Sequence, residues 1–344
     1  MSASTSSLAN PEDLRSPEKI TKTLLACIVF AATFLDYWSY SRQFYSEPQA
    51  FRDVLAGAAA APNQYRVGAI WVANFLSKHG HLGLRHAMTL LDGLSALLAV
   101  FLLYSLLRTS AFYRSAGNHL RWAGSAAFLA MVQFYLAWLI WYQRPETLPS
   151  AALVVIALWL LTPSSDASKT RPAWATISGL LLFSAAQGLV RADVAVTVNL
   201  GVLLVCLSGL GKGFSLSRWT MAAAGLAGAL LSGGIQYSLM HVVYPHASYG
   251  STPVFQLVLN LTDHLRIFPF LIFMLPWAWT MNFFARRREA LAAPSAALLA
   301  GSTIFLLLWC VVGKIDEVRI FLPFALALVP ATVQVAMRIA SVEA

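Results

Sequence analysis

Apolar runs of roughly 17 to 22 residues recur along this chain with almost no charge inside them, and they restrict its fold more than any other feature. A run of that length crosses the ~30 Å hydrocarbon core of a bilayer as an α-helix. In lipid every backbone N–H and C=O must be paired within the protein, so only helices and closed barrels span. The alternating strands that would build a barrel are not visible. Composition agrees, because 58% of the residues are hydrophobic and 11% charged, too little polar surface for a water-soluble protein of 344 residues.

The expected architecture is an all-α, polytopic helical membrane protein of about ten spans. They fall near 23–41, 87–107, 122–141, 149–162, 174–190, 194–210, 219–240, 266–284, 293–312 and 319–337. Residues 1–22 are expected as a polar, disordered cytoplasmic tail without a cleavable signal peptide, 23–338 as one transmembrane domain, and 339–344 as a second cytoplasmic tail. Cytoplasmic termini put Lys19, Lys22, Arg108, Arg114, Arg121, Lys169, Arg171, Lys212, Arg218, Arg286, Arg287, Arg288 and Arg338 on the inner side, as the positive-inside rule asks. The formal charge of +9 is thereby assigned to membrane topology, with no nucleic-acid partner implied. Two larger outer segments remain, 42–86 and 241–265. The first is expected to carry interfacial helices over Glu47–Ala61 and 66–77. Cys27, Cys206 and Cys310 lie inside apolar runs and read as small buried hydrophobes, with no redox or nucleotide cofactor expected.

Charges at membrane edges are costly unless they face protein or water, so they mark candidate sites. Asp36 follows the first apolar run, Arg191-Ala192-Asp193 the fifth, and Lys314 to Arg319 the ninth, all on one predicted face. A carboxylate at Asp36 can accept a proton from an alcohol or hold a divalent cation, and it can equally be a span-ending acid among aromatics. Arg66, after Tyr65, suits a phosphate through its forked guanidinium, or snorkels to lipid headgroups. Arg191 and Asp193 interrupt a long apolar stretch, where they serve a site or hold a tight turn. Glu317 and Arg319 flank one valine, an arginine to bind a donor phosphate and an acid to orient it or shape the acceptor site, with Lys314 as a further anion contact or an interfacial lysine. His241 and His246 lack zinc-ligand spacing and read as structural or substrate contacts.

In order and placement these features resemble the GT-C-type superfamily of polytopic glycosyltransferases, close to uncharacterised bacterial membrane proteins in that fold group. The likeness rests on Asp36 with Tyr40, on Asn63-Gln64-Tyr65-Arg66-Val67, and on Glu317-Val318-Arg319-Ile320-Phe321-Leu322-Pro323. It implies a bacterial inner-membrane enzyme whose site lies on the non-cytoplasmic face. The donor would be a polyprenyl-phosphate-linked sugar and the reaction transfer to an acceptor hydroxyl. Asp36, Asp193 and Glu317 would carry the chemistry, and Tyr40, Tyr65, Arg66, Arg191, Lys314, Arg319, His241 and His246 would bind substrate. The chain departs from many such enzymes in having Tyr37, not a second acid, after Asp36. That leaves Mg2+ or Mn2+ at Asp36 an open expectation. A transporter or flippase, and a noncatalytic envelope scaffold held through small residues such as Gly225 and Gly228, are the competing readings.

Overall fold

The computed structural model describes residues 17–137, 144–163, 171–210, 213–249, 255–286 and 291–343. Most of the expected amino-terminal tail, the end of the span expected over 122–141, and Lys169, Lys212, Arg287 and Arg288 lie outside them.

The described chain is helical throughout. Helix α1 covers Pro17–Ser46, α2 Ala50–Ala56, α3 Val67–His79, α4 Leu84–Thr109, α5 Ala111–Ser115, α6 Asn118–Ala137 and α7 Thr147–Leu161. Helix α8 covers Ala173–Leu207, α9 Arg218–Ser238, α10 Leu257–Thr262, α11 His264–Arg286, α12 Ala293–Val312, α13 Leu322–Ala327 and α14 Val329–Glu343. Six helices among the described residues are long and apolar enough to cross a membrane, or seven if the pair bent by 60° near residue 328 makes one span. Large apolar side chains stand exposed on these helices, such as Phe30, Leu182, Leu230, Leu275 and Leu307. A bilayer covers that surface. The chain is an all-helical, multi-pass membrane protein.

Fewer helices than the ten expected spans meet that test, and two of the differences have a plain cause. Helix α7 has 15 residues, short for the hydrocarbon core. Helix α8 is two helices joined at a kink and covers two expected spans, with non-helical angles at Arg191 (φ −156°, ψ 87°). Its halves fold back on each other, because Asn199 Nδ2 donates to Ser184 Oγ at 2.9 Å. In a straight helix those residues would lie roughly 22 Å apart.

Small residues set how closely these helices approach. A Cβ on Gly201 would meet the backbone of Ala297 and Gly301 across the α8–α12 crossing. One on Gly228 would meet the side chains of Asn199 and Ser184, and one on Gly225 the carbonyl of Asn199. Gly225 and Gly228 therefore serve internal packing of α9 on α8. The first outer segment is shorter in helix than expected. Helix α1 runs on to Ser46, α2 takes only Ala50–Ala56, and Glu47 lies in the turn between them. Helix α3 starts one residue later and ends two residues later than the expected 66–77.

Candidate functional site

Asp36 does not end its span, since α1 continues to Ser46. It is buried at 7% exposure and faces Asp92 of α4, which is 1% exposed. One turn on, the fully buried Tyr40 donates to Asp92 Oδ2 at 2.8 Å. The helices meet closely here, because a Cβ on Gly93 would lie 2.9 Å from Thr33. Two carboxyls buried this close repel each other when both are charged.

Beside this pair lies a second, charged group. The Asn63–Tyr65 turn presents Arg66, and buried Gln64 anchors it by donating to the Val54 carbonyl at 3.1 Å and accepting from Ala59 N at 2.9 Å. Tyr65 donates to the Ala247 carbonyl at 2.8 Å and its ring lies 6.3 Å from Tyr249, which docks the two outer segments together. Gly68 brings α3 against the α8 turn, where a Cβ would stand 2.9 Å from Val190. Arg66 Nη1 then donates to Glu146 Oε1 at 3.1 Å. Burial disfavours charge on both partners. For Arg66, Glu146, Asp193 and Glu317 more than offset it and hold its pKa above the ordinary value. For Glu146, Arg66, Arg319 and Arg144 outweigh burial and hold the carboxyl below its ordinary range.

At the α8 turn, Arg191 Nε and Nη2 donate to the two oxygens of Asp193 at 3.2 and 2.5 Å. Its Nη1 donates to the Ile320 carbonyl at 2.9 Å, tying the turn to the Val318–Phe321 helical turn. Asp193 also accepts from Val194 N at 3.0 Å, starting the second half of α8. Arg319 Nη2 donates to Glu317 Oε2 at 2.9 Å, with side-chain exposures of 13% and 40%.

The fold thus brings together Arg66, Arg191, Asp193, Glu317 and Arg319, with Tyr65 beside them and the Tyr40, Asp36 and Asp92 group adjoining. Lys314 and Asp316 are exposed at the rim of the turn that Asn260 clamps through the Cys310 and Gly313 carbonyls. His241 and His246 are exposed, and the His241 ring lies 4.4 Å from that of Tyr237, tilted by 43°. No grouping of three or more His, Cys, Asp or Glu able to hold a metal occurs among the described residues.

From the sequence, Asp92 near the outer end of the second span is a secondary candidate for the site wall, expected to pair with an arginine, and the structure sets it beside Asp36 and Tyr40 instead. Sequence reasoning missed Arg144 and Glu146, although a signal for both was present. Arg144-Pro145-Glu146 repeats the pattern of Arg191-Ala192-Asp193 and Glu317-Val318-Arg319, an arginine and an acid two apart between apolar runs. The three pairs come from separate turns and meet at one end of the bundle.

Two cavities flank α3. A polar pocket of about 70 Å³ is lined by Glu47, Asn63, Arg66, Ile70, Arg144 and Glu146 among others. An apolar groove of about 530 Å³ borders the same helix at the next residue, Trp71, and is lined by Leu189, Leu230, Ile235 and Val243 among others. An amphiphile with an anionic head and a hydrocarbon tail fits that arrangement. No protein-family model matches the chain, and neither curated proteins nor solved structures give a match.

Proposed function

We propose that this membrane protein is a glycosyltransferase taking a sugar from a polyprenyl-phosphate-linked donor. The supporting observation is that an arginine-lined pocket and an apolar groove both border α3, at Ile70 and Trp71. Arg66 and Arg319 take the phosphate and the groove takes the start of the prenyl tail. In the transfer, the acceptor oxygen bonds to the anomeric carbon as the bond from that carbon to the phosphate oxygen breaks. The electron pair leaves on the phosphate, where guanidinium charge stabilises it. The acceptor proton passes to a carboxylate, and Glu317, the more exposed partner of its ion pair with Arg319, is open to an acceptor. Asp36, beside Asp92, acts in this reading by shaping the wall behind Tyr40.

The test is purified protein with several polyprenyl-phosphate sugars and acceptor alcohols, read by mass spectrometry with and without Mg2+ or Mn2+. Release of polyprenyl phosphate, reduced at least about a hundredfold by Arg66→Ala or Arg319→Ala, is the expected result. No donor binding by folded protein would end this proposal.

One observation favours a second reading. The Asp36–Asp92 pair lies within helices rather than in a loop, and buried acids that exchange protons drive coupled transport. Movement of a substrate across proteoliposomes without bond cleavage, lost in Asp36→Asn, would select it.

A further inference from the structure

Charge in the polar pocket balances. Its ionisable lining is Glu47, Arg66, Arg144 and Glu146, two acids against two arginines. Glu146 is 6% exposed and takes the Arg66 Nη1 donor at 3.1 Å, so that pair neutralises itself within the wall. An ion entering such a site meets attraction and repulsion together, whichever its sign. Arg319 does not line the pocket, so a phosphate placed between it and Arg66 lies outside.

Two polar side chains of the wall remain uncommitted. Glu47 lies exposed in the turn after α1, and Asn63 opens the turn that leads into Arg66. Neither side chain makes a hydrogen bond or ion pair among the described residues. A carboxylate only accepts, whereas an amide both donates and accepts. Together they ask for a ligand that carries donors and acceptors side by side, as hydroxyls do. Phe51, 3% exposed, and Ile70 supply apolar wall next to these groups. Balanced charge, mixed hydrogen-bonding groups and an apolar surface suit the edge of a sugar ring, where hydroxyls alternate with C–H groups. The pocket of about 70 Å³ is roughly twice the ~30 Å³ share of one liquid water. It takes two hydroxyls of a ring and not the whole ring.

We propose that this pocket recognises hydroxyls of a neutral sugar, with Glu47 and Asn63 as the groups that engage them. The Arg66–Glu146 pair is then a fixed wall that turns charged ligands away. The proposal rests on the reading of the protein as a sugar transferase for the link to a donor, and it names that donor's sugar as uncharged.

The experiment is ligand-observed saturation-transfer NMR on the full-length protein in a polyoxyethylene detergent, whose headgroup carries no sugar. The probes are methyl glycosides of neutral hexoses. Glucuronate, glucosamine and glycine serve as anionic, cationic and zwitterionic comparisons. At least one neutral glycoside should bind about tenfold tighter than every charged or zwitterionic probe. Glu47→Ala and Asn63→Ala should each weaken that binding about fivefold, the loss expected for one hydrogen bond. Both variants should unfold near the wild-type temperature, because neither side chain holds a bond in the folded protein. Preference for a charged probe, no glycoside binding by folded protein, or unchanged binding in either variant overturns the proposal. Glycoside binding without sugar transfer sustains it while the proposed function fails. Transfer only from donors that carry a charged sugar does the reverse, so the two fail separately.

Discussion

Replacing Arg191 by alanine tests whether the pair at the α8 turn is a structural tie. Arg191 is 2% exposed and donates to both oxygens of Asp193 and to the Ile320 carbonyl. Hydrogen bonds to charged groups contribute ~1.5–3 kcal/mol each, and breaking a fully buried ion pair costs ~3–5 kcal/mol. The Asp193 side chain is 33% exposed, so water recovers part of its loss. The expected destabilisation is about 3 kcal/mol, toward the low end of the buried-pair range. It is read by thermal or denaturant unfolding in detergent, with Asp193→Asn and the double variant completing a cycle. The cycle should show a coupling of at least about 1 kcal/mol. Wild-type stability in Arg191→Ala, or additive single effects, would refute the tie and return Arg191 to the list of substrate ligands.

Three further outcomes follow from the same geometry. The Glu146 carboxyl sits below its ordinary pKa of ~4.3 in the folded protein, so its ion pairs contribute stability that is complete above that value and lost as pH falls through the depressed one. Glu146→Gln should flatten that acid limb in a series of unfolding temperatures from neutral pH downward, and an unchanged limb would count against the ion pairing. Gly201→Ala forces the α8–α12 backbones apart and should cost ~1–3 kcal/mol, whereas Gly233→Ala, which meets nothing within 4 Å, should be neutral or slightly stabilising. Filling the apolar groove with Ile235→Trp should weaken binding of long-tailed donors and leave inorganic phosphate binding alone, and equal loss of both would detach the groove from the site.

Much of this architecture can be read from hydropathy, because lipid admits so few solutions for the backbone. The apolar runs predict helices, and α4, α9, α11 and α12 lie close to their expected places. The Arg191-Ala192-Asp193 interruption marks the tight reversal in α8, since a charge between two apolar runs must sit where the chain leaves the bundle core. The charged triplets likewise name most of the cluster in advance. Arg144 and Glu146 were equally visible in kind, as the third such triplet, but nothing local to them says which arginine a buried glutamate meets 80 residues away.

The sequence alone thus determined the class of protein and the end of the bundle where polar groups gather, because both follow from the local cost of placing charge in hydrocarbon. Only the tertiary structure decided the partners. It paired Asp36 with Asp92 rather than with an arginine, bound Arg191 to its own turn, left His241 and His246 apart, and set Glu146 among the guanidiniums. Those choices depend on which helix faces pack and how closely glycines such as Gly68, Gly93 and Gly201 allow them to approach. Helix periodicity marks which residues share a face, but packing between distant segments chooses what that face meets.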